Sequence, residues 1–320
     1  MEVKKIINEF LPDKIFDAHM HLYDQSYFIK SDLMPESVYL DDFVNDIKGY
    51  VGNKEIHANI LPFPCKRIID KNDGVDYLKV SDDFIYSELK KDEKSVAEIL
   101  VLPTETEDDI IKRIKDERIS GLKPYHLLHH NEITTDLAVD EFLPESAFAV
   151  ADKLGLVITL HIMKDESLFD PRNQKYIIEM SKKYPNAILI LAHDARSFAS
   201  WTGIESIDKV SKLDNVMFDL SAVCESPAMI QTIKKCGVSK VMWGTDYPIS
   251  NVNGKCVSIA DKFYWIYEKF EPQIAKSVKM WSILEETIMA IRQTALILDL
   301  TEKDIEDIFY NNAQRLFFKK

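Results

Sequence analysis

The chain has 320 residues, of which 46% are hydrophobic, enough for a large core, and its net charge is −13 at pH 7. This negative charge argues against nucleic acid as a partner, because phosphate binding needs a basic surface. No apolar run approaches the roughly 20 residues that span a bilayer, and residues 1–10 lack a long apolar signal core, so we predict a cytoplasmic protein.

Short apolar or β-branched runs recur along the chain and predict eight strands. They cover residues 14–21, 55–62, 98–103, 120–125, 156–162, 187–193, 215–221 and 240–246. Each run is short and almost continuously apolar, which is typical of parallel strands that are buried on both faces.

Helical patterns fill the gaps between these runs. Thr106 followed by acidic residues predicts the start of a helix, and Gly155 and Gly237 stand where two other helices would end. After the eighth strand, residues 257–298 and 301–317 are predicted to be further helices.

Strands that alternate with helices indicate a parallel sheet, and eight such units favour a closed (β/α)8 TIM barrel over an open sheet. The usual glycine-rich nucleotide turn after the first strand is missing, which disfavours a dinucleotide-binding fold. We predict a single α/β domain over residues 1–320, with an N-terminal helix, a loop insertion after strand 1 and extra C-terminal helices.

The first strand carries His19 and His21, two residues apart. Side chains of a strand alternate between its two faces, so both imidazoles leave the same face. Two neutral imidazoles on one face can bind a divalent metal ion, although two unrelated histidines on a half-buried strand would look the same.

Further polar residues stand at the ends of later strands. Lys123 is near the end of the fourth, His161 ends the fifth, His193 the sixth and Asp246 the eighth. Active sites of such barrels lie at the carboxyl ends of the strands. With His19 and His21, the side chains of His161, His193 and Asp246 make five metal-capable groups that would converge on one rim. We therefore predict a metal site there.

The order His-X-His, strand-end His, strand-end His and Gly-Thr-Asp-X-Pro resembles the amidohydrolase superfamily. The closest resemblance is to its amidohydrolase-related (amidohydrolase 2) branch of metal-dependent hydrolases and decarboxylases. Residues 309–317 are also similar to the closing helix of that branch. The resemblance runs from Asp17 to Phe317, and it is more specific for the superfamily than for a substrate.

The resemblance implies a role for each matching residue. His19, His21, His161 and Asp246 would ligate one divalent ion, with zinc as first choice and manganese or iron(II) as alternatives. Asp246 would take the proton of a metal-activated water. His193 would hydrogen-bond that water or polarise the substrate, and then assist proton transfer.

Four residues near this rim are candidate substrate contacts. Lys123 could be a carboxylated lysine between two metals, an ammonium facing the substrate or a member of a structural ion pair. Arg196 could bind a substrate carboxylate or form a surface ion pair. Tyr125 and Tyr247 could line the pocket.

Other features are open to more than one interpretation. His126, His129 and His130 follow the fourth strand, so one could touch substrate, whereas a solvated loop is the alternative. The insertion from Asp24 to Asp41 could cover a ligand or pack against another subunit. His57 is expected to be a satisfied buried histidine far from the rim. The four cysteines, Cys65, Cys224, Cys236 and Cys256, match no metal or redox spacing.

The sequence predicts a metal-dependent hydrolase that uses a metal-activated water on a small ester, lactone or amide, with a carboxylate on the substrate as an option. The alternative is a metal-dependent non-oxidative decarboxylase of an unsaturated or aromatic acid. A second alternative is a barrel that holds metal without catalysis. The partner expected is a small molecule, and a homo-oligomer is compatible with the sequence.

Overall fold

Eight parallel strands lie side by side in chain order, as the sequence predicted, in a computed structural model that describes residues 3–26, 31–64, 75–128 and 136–318. Buried runs of apolar residues form these strands, and helices alternate with them in a (β/α)8 barrel. The strands are β1 (Lys14–Leu22), β2 (Glu55–Pro62), β3 (Val96–Val101), β4 (Ile119–Pro124), β5 (Val157–Leu160), β6 (Ile188–Leu191), β7 (Val216–Asp219) and β8 (Val241–Met242).

The barrel closes where the segment after β8 meets β1. The backbone N–H of His21 donates to the carbonyl of Tyr247 at 2.8 Å, and that of Asp246 donates to the carbonyl of His19 at 2.7 Å. Met20 and Tyr247 form a parallel bridge. The first and last strands are therefore joined at the level of the predicted ligands.

Helices surround the sheet, and within the described ranges none is long and apolar enough to cross a membrane. They are α1 (Val3–Phe10), α2 (Leu40–Val51), α3 (Tyr77–Leu89), α4 (Glu107–Arg113), α5 (Val139–Phe142), α6 (Glu145–Leu154), α7 (Pro171–Lys183), α8 (Ala192–Arg196), α9 (Ser200–Ser206), α10 (Ser226–Cys236), α11 (Pro272–Ala275), α12 (Ile283–Ile297), α13 (Glu302–Glu306) and α14 (Asn312–Phe317). A π-helical turn, Asp307–Asn311, joins the last two. Thr106 caps α4, and Gly155 ends α6 with a φ of 68°, as predicted.

The prediction of helix from residue 257 is wrong, because a β-hairpin follows the barrel. Strands β9 (Gly254–Ile259) and β10 (Lys262–Tyr267) pair antiparallel, and α12 begins only at Ile283. Alternation explains the hairpin: Phe263 and Trp265 both pack on Phe198 of the barrel, at ring-centroid distances of 5.3 and 5.1 Å. A period of two, with aromatic residues on one face, suits a strand and not a helix.

The insertion after β1 folds back beside this hairpin. The Tyr23 hydroxyl donates to the Pro35 carbonyl at 2.8 Å, and the Lys269 ammonium donates to the Asp32 carbonyl at 2.5 Å. Part of the insertion, residues 27–30, lies outside the described residues. Its role as a lid stays a prediction.

Candidate metal and active site

Three of the predicted ligands converge at the carboxyl ends of β1 and β8. His19 Nε2 lies 3.2 Å from His21 Nε2 and 3.6 Å from Asp246 Oδ1, and His21 Nε2 lies 3.2 Å from Asp246 Oδ1. Two ligand atoms about 2.1 Å from a tetrahedral ion lie about 3.4 Å apart, so these separations fit one divalent ion. All three side chains are buried.

Asp219 lies behind His19 and orients it. Its Oδ2 accepts from His19 Nδ1 at 3.0 Å, which leaves the Nε2 lone pair of His19 facing the ligand group. Burial raises the pKa of Asp219, but His19, His193 and the Ser221 hydroxyl together outweigh burial and hold that pKa well below its usual range. The sequence prediction missed Asp219; a carboxylate at the end of an apolar strand was the available signal.

Asp219 also fixes the segment that carries His193. Its Oδ1 accepts from the backbone N–H of His193 at 3.2 Å and from the backbone N–H and the hydroxyl of Ser221. Because the Ser221 hydroxyl proton goes to Asp219, Nδ1–H of His193 donates to the Ser221 carbonyl at 2.9 Å. The Nε2 of neutral His193 therefore carries a lone pair.

His161 contacts His193 and not the three converging ligands. Its Nδ1 lies 3.0 Å from His193 Nε2, so Nδ1 of His161 is the donor in this pair. This arrangement leaves the Nε2 lone pair of His161 available to a cation. Its assignment as a fourth ligand stays a prediction.

The segment α8 after β6 is a left-handed turn and not a regular right-handed helix. Four consecutive residues, His193 to Arg196, have φ between 52° and 59°. None is glycine, and left-handed backbone costs about 1–2 kcal/mol for each such residue. Strained backbone of this kind clusters at functional sites, where the surrounding structure holds it in place. Here it places His193 against Ser221 and Arg196 against the hairpin.

Lys123 lies inside the barrel, close to the ligands. It is wholly buried, and among the described residues no acceptor bonds its Nζ, which sits 4.7 Å above the Tyr125 ring. Burial lowers the pKa of Lys123, although the charges of Glu98 and Asp219 oppose this shift. The three roles predicted for it stay open.

Glu98 of β3 is a second buried charge that the sequence prediction missed. One of its oxygens accepts from Asn59 Nδ2 at 2.8 Å and from the Thr159 hydroxyl at 2.6 Å. Burial raises the pKa of Glu98, whereas the charge of Lys123 opposes that rise. The charges of Glu98 and Lys123 thus each oppose the effect of burial on the other, although the two side chains are not in ion-pair contact.

Aromatic side chains surround the ligands. The Tyr125 hydroxyl lies 3.3 Å from His21 Nε2, and the Phe63 ring meets the His21 ring edge-on at 5.0 Å. On the other side Phe198 stacks on His193 at 5.2 Å. Rings on both sides would exclude water and favour a flat substrate.

Tyr247 and His57 lie away from this group. The Tyr247 hydroxyl donates to Asp46 of α2 at 2.7 Å, so it faces outwards from the ligands. His57 bonds Asp92 at 2.7 Å and Glu55 at 3.1 Å near the start of β2, where it was expected to be satisfied.

The remaining predicted positions lie only partly within the described residues. His126 is half-buried, 6.2 Å from His161 between ring centroids, whereas His129, His130 and Cys65 lie outside the described residues. The other three cysteines are free thiols. The backbone N–H of Cys256 in the hairpin donates to Cys224 Sγ at 3.5 Å, so these two are packing residues rather than parts of the ligand group.

Gly244 gives a direct test of how closely the site is packed. A Cβ at this position would lie 2.8 Å from His19 Cβ and 3.0 Å from His19 N. Gly244→Ala should therefore displace His19, lower the free energy of unfolding by about 1–3 kcal/mol and weaken metal binding. Urea unfolding measures the change in stability, and zinc titration measures the change in metal affinity.

Gly49→Ala is the matched control, because nothing lies within 4 Å of a Cβ at this position in α2. This variant should be up to about 1 kcal/mol more stable, since alanine favours a helix. Equal stability and equal zinc affinity for Gly244→Ala and wild type would contradict the packing argument.

A protein-family model described as amidohydrolase matches residues 82–319, more than half of the chain. The chain therefore belongs to the amidohydrolase family. The matched region contains His161, His193 and Asp246, and it begins after the strand that bears His19 and His21. No curated protein matches the chain.

Solved structures with the same fold include both hydrolases and decarboxylases. An amidohydrolase from Burkholderia multivorans with bound zinc is 11% identical with a TM-score of 0.62, covering 96% of this chain and 100% of its own. The 2,6-dihydroxybenzoate decarboxylase from Rhizobium is 14% identical with a TM-score of 0.62, covering 95% and 98%. A probable 2-pyrone-4,6-dicarboxylic acid hydrolase from Acinetobacter baumannii, with citric acid bound, is 14% identical with a TM-score of 0.60, covering 96% and 100%. At these identities the likeness supports the shared fold.

Proposed function

We propose that the protein is a metal-dependent hydrolase of a small ester, lactone or amide. One divalent ion, with zinc as first choice, would be held by His19, His21, His161 and Asp246. The supporting observation is the convergence of two imidazole nitrogens and a carboxylate oxygen within 3.6 Å of one another. A bound divalent cation would polarise a substrate oxygen and lower the pKa of a water in the site.

Asp246 would move the proton in this reaction. Burial raises the pKa of Asp246, whereas the imidazoles of His193 and His19 lower it. A carboxylate in this balance can accept a proton from the attacking water and return it to the leaving group.

His193 would position a proton-bearing group. Its Nδ1–H is held by the Ser221 carbonyl, so neutral His193 accepts through Nε2. Burial lowers the pKa of His193, which favours this neutral form. In this structure Nε2 accepts from His161 Nδ1 at 3.0 Å, so a water bound by His193 would take the place of His161. The Tyr125 hydroxyl is a donor close enough to polarise the substrate, which was the other role predicted for His193.

A decarboxylase of an unsaturated or aromatic acid is the second candidate. The rings of Phe63, Tyr125 and Phe198 favour it, because Phe63 and Tyr125 pack beside His21 and Phe198 packs on His193. The same ligands suit either reaction, since a divalent ion can bind a carboxylate as readily as it binds an ester carbonyl.

The experiment that separates these reactions measures products and metal together. Zinc- and manganese-loaded protein is incubated with esters, lactones, amides and unsaturated acids, while proton release and carbon dioxide are recorded. A hydrolase releases a proton from an ester or lactone, or an amine from an amide, without carbon dioxide. It loses activity on chelation and regains it with about one ion per chain.

Each other outcome points to a different conclusion. Carbon dioxide released from an acid, with no compound of the ester panel hydrolysed, would identify the decarboxylase. About one tightly held ion with no turnover of either panel would support a barrel that holds metal without catalysis.

A further inference from the structure

Arg196 is a buried cation that lacks a buried counter-charge. The residue is 7% exposed, and no carboxylate of the described residues lies within 4 Å of its guanidinium. The charge of Asp165 reaches it, but the Asp165 side chain is exposed and pairs with Lys262 at 2.7 Å. Burying a charge without a partner is costly, so a site that keeps one is prepared for an anion.

One edge of this guanidinium donates hydrogen bonds to the protein, and the other edge has no acceptor among the described residues. Nη1 donates to the Lys164 carbonyl at 2.8 Å and lies 3.4 Å from the Ser167 hydroxyl, which fixes the plane of the group. The Nε atom is buried, and neither Nε nor Nη2 has an acceptor among the described residues. These two atoms form the edge that binds a carboxylate through two parallel hydrogen bonds.

The hairpin and the left-handed turn hold the guanidinium at the rim. Phe263 of β10 covers one face of the guanidinium, with Cζ 5.0 Å from the ring centroid. Arg196 lies in the same left-handed segment as His193, directly after β6 at the carboxyl end of the barrel strands. Arg196 therefore belongs to the same rim as the ligands.

A series of ring contacts links Arg196 to His193. The contacts run from His193 to Phe198 at 5.2 Å, from Phe198 to Phe263 at 5.3 Å, and then to Arg196. Because two rings stand along this path, a carboxylate held by Arg196 would be a different group from one that reacts beside Asp246. The rings between the two positions suit a flat, conjugated body.

From this geometry we infer that Arg196 binds a spectator carboxylate of the substrate through its Nε–Nη2 edge. The inference rests on the proposed function and narrows it. The substrate class becomes conjugated or aromatic acids whose scissile ester, lactone or amide lies on the far side of a flat body from the carboxylate. For the decarboxylase alternative the substrate becomes a dicarboxylic acid.

The test compares benzoate with benzamide, which have the same flat body and differ in charge. Dissociation constants are measured by calorimetry on zinc-loaded protein and on metal-depleted protein. Wild type should bind benzoate at least tenfold more tightly than benzamide in both forms. Loss of this contrast on metal removal would place the carboxylate on the ion and overturn the inference.

Variants test the residue itself. Arg196→Met should weaken benzoate binding about tenfold or more and change benzamide binding less than twofold. Arg196→Lys keeps the charge without the two-donor edge, so its loss of benzoate affinity should lie between those of wild type and Arg196→Met. The control is Arg172→Met, because Arg172 is half-exposed and pairs with Asp140 on the surface.

The outcomes distinguish this inference from the proposed function. If Arg196→Met binds benzoate as tightly as wild type does, the inference is overturned even if the protein hydrolyses esters. Binding that depends on Arg196, in a protein that hydrolyses no ester, lactone or amide, supports the inference and contradicts the hydrolase. If Arg196→Met does not fold, the inference is still tested by Arg196→Lys and by the difference between benzoate and benzamide binding to wild type.

Discussion

Replacing Asp246 by asparagine is expected to lower kcat/KM by about 10³-fold or more, on any compound that the wild-type protein turns over. The amide has the shape of the carboxylate, so packing between β8 and β1 is kept. It cannot accept the proton that Asp246 is placed to receive, and it is a weaker ligand. Steady-state kinetics and metal content by mass spectrometry measure both effects.

The two effects of Asp246→Asn can be separated. Loss of turnover with the ion retained would assign proton transfer to Asp246, whereas loss of the ion would assign it chiefly to ligation. Asp41→Asn, at an exposed position of α2, should leave both quantities unchanged. Wild-type turnover by Asp246→Asn with a full metal complement would refute its catalytic role.

Asp219→Asn is expected to weaken metal binding about 10–100-fold although Asp219 is not among the proposed ligands. Its carboxylate accepts from His19 and from three donors of the segments that carry His193 and Ser221. An amide offers only one accepting oxygen, so either His19 or the His193 segment loses its partner. Competition with a zinc-selective chelator measures the change.

Asp208→Asn is the matched control, since Asp208 is exposed and pairs with Lys235 on the surface. It should bind zinc like wild type. Urea unfolding of metal-depleted protein should show a lower free energy of unfolding for Asp219→Asn and not for Asp208→Asn. The reason is that Asp219→Asn leaves buried donors without an acceptor. Equal zinc affinity for Asp219→Asn and wild type would remove Asp219 from the site.

The strands and the converging ligands could be predicted because their signals are local. A buried parallel strand is a short apolar run, and a side chain at its carboxyl end lies on the barrel rim wherever it stands in the sequence. His19 and Asp246 needed no further information to be placed together. His161 followed the same rule to the rim, but which neighbour it contacts could not be predicted from it.

Contacts set by barrel closure could not be predicted from local patterns. Asp219 and His19 are 200 residues apart in sequence, and only the completed sheet brings them to 3.0 Å. No role for Glu98 could be predicted, because its surroundings come from three other strands. They are Asn59, Thr159 and Lys123. The hairpin was missed although the alternation of Phe263 and Trp265 is visible in the sequence. Their packing on Phe198, which stabilises the strands, is not visible there.

The seam between β1 and β8 has a consequence for the order in which the protein acquires its properties. His19 is made early in synthesis and Asp246 more than two hundred residues later, so a nascent barrel that lacks its last strand holds only part of the ligand group. An ion shared by both strands would bind the closed barrel and not the open one, and would so favour closure by mass action. Metal supply during expression should therefore govern how much protein reaches the closed state, as well as how active that protein is.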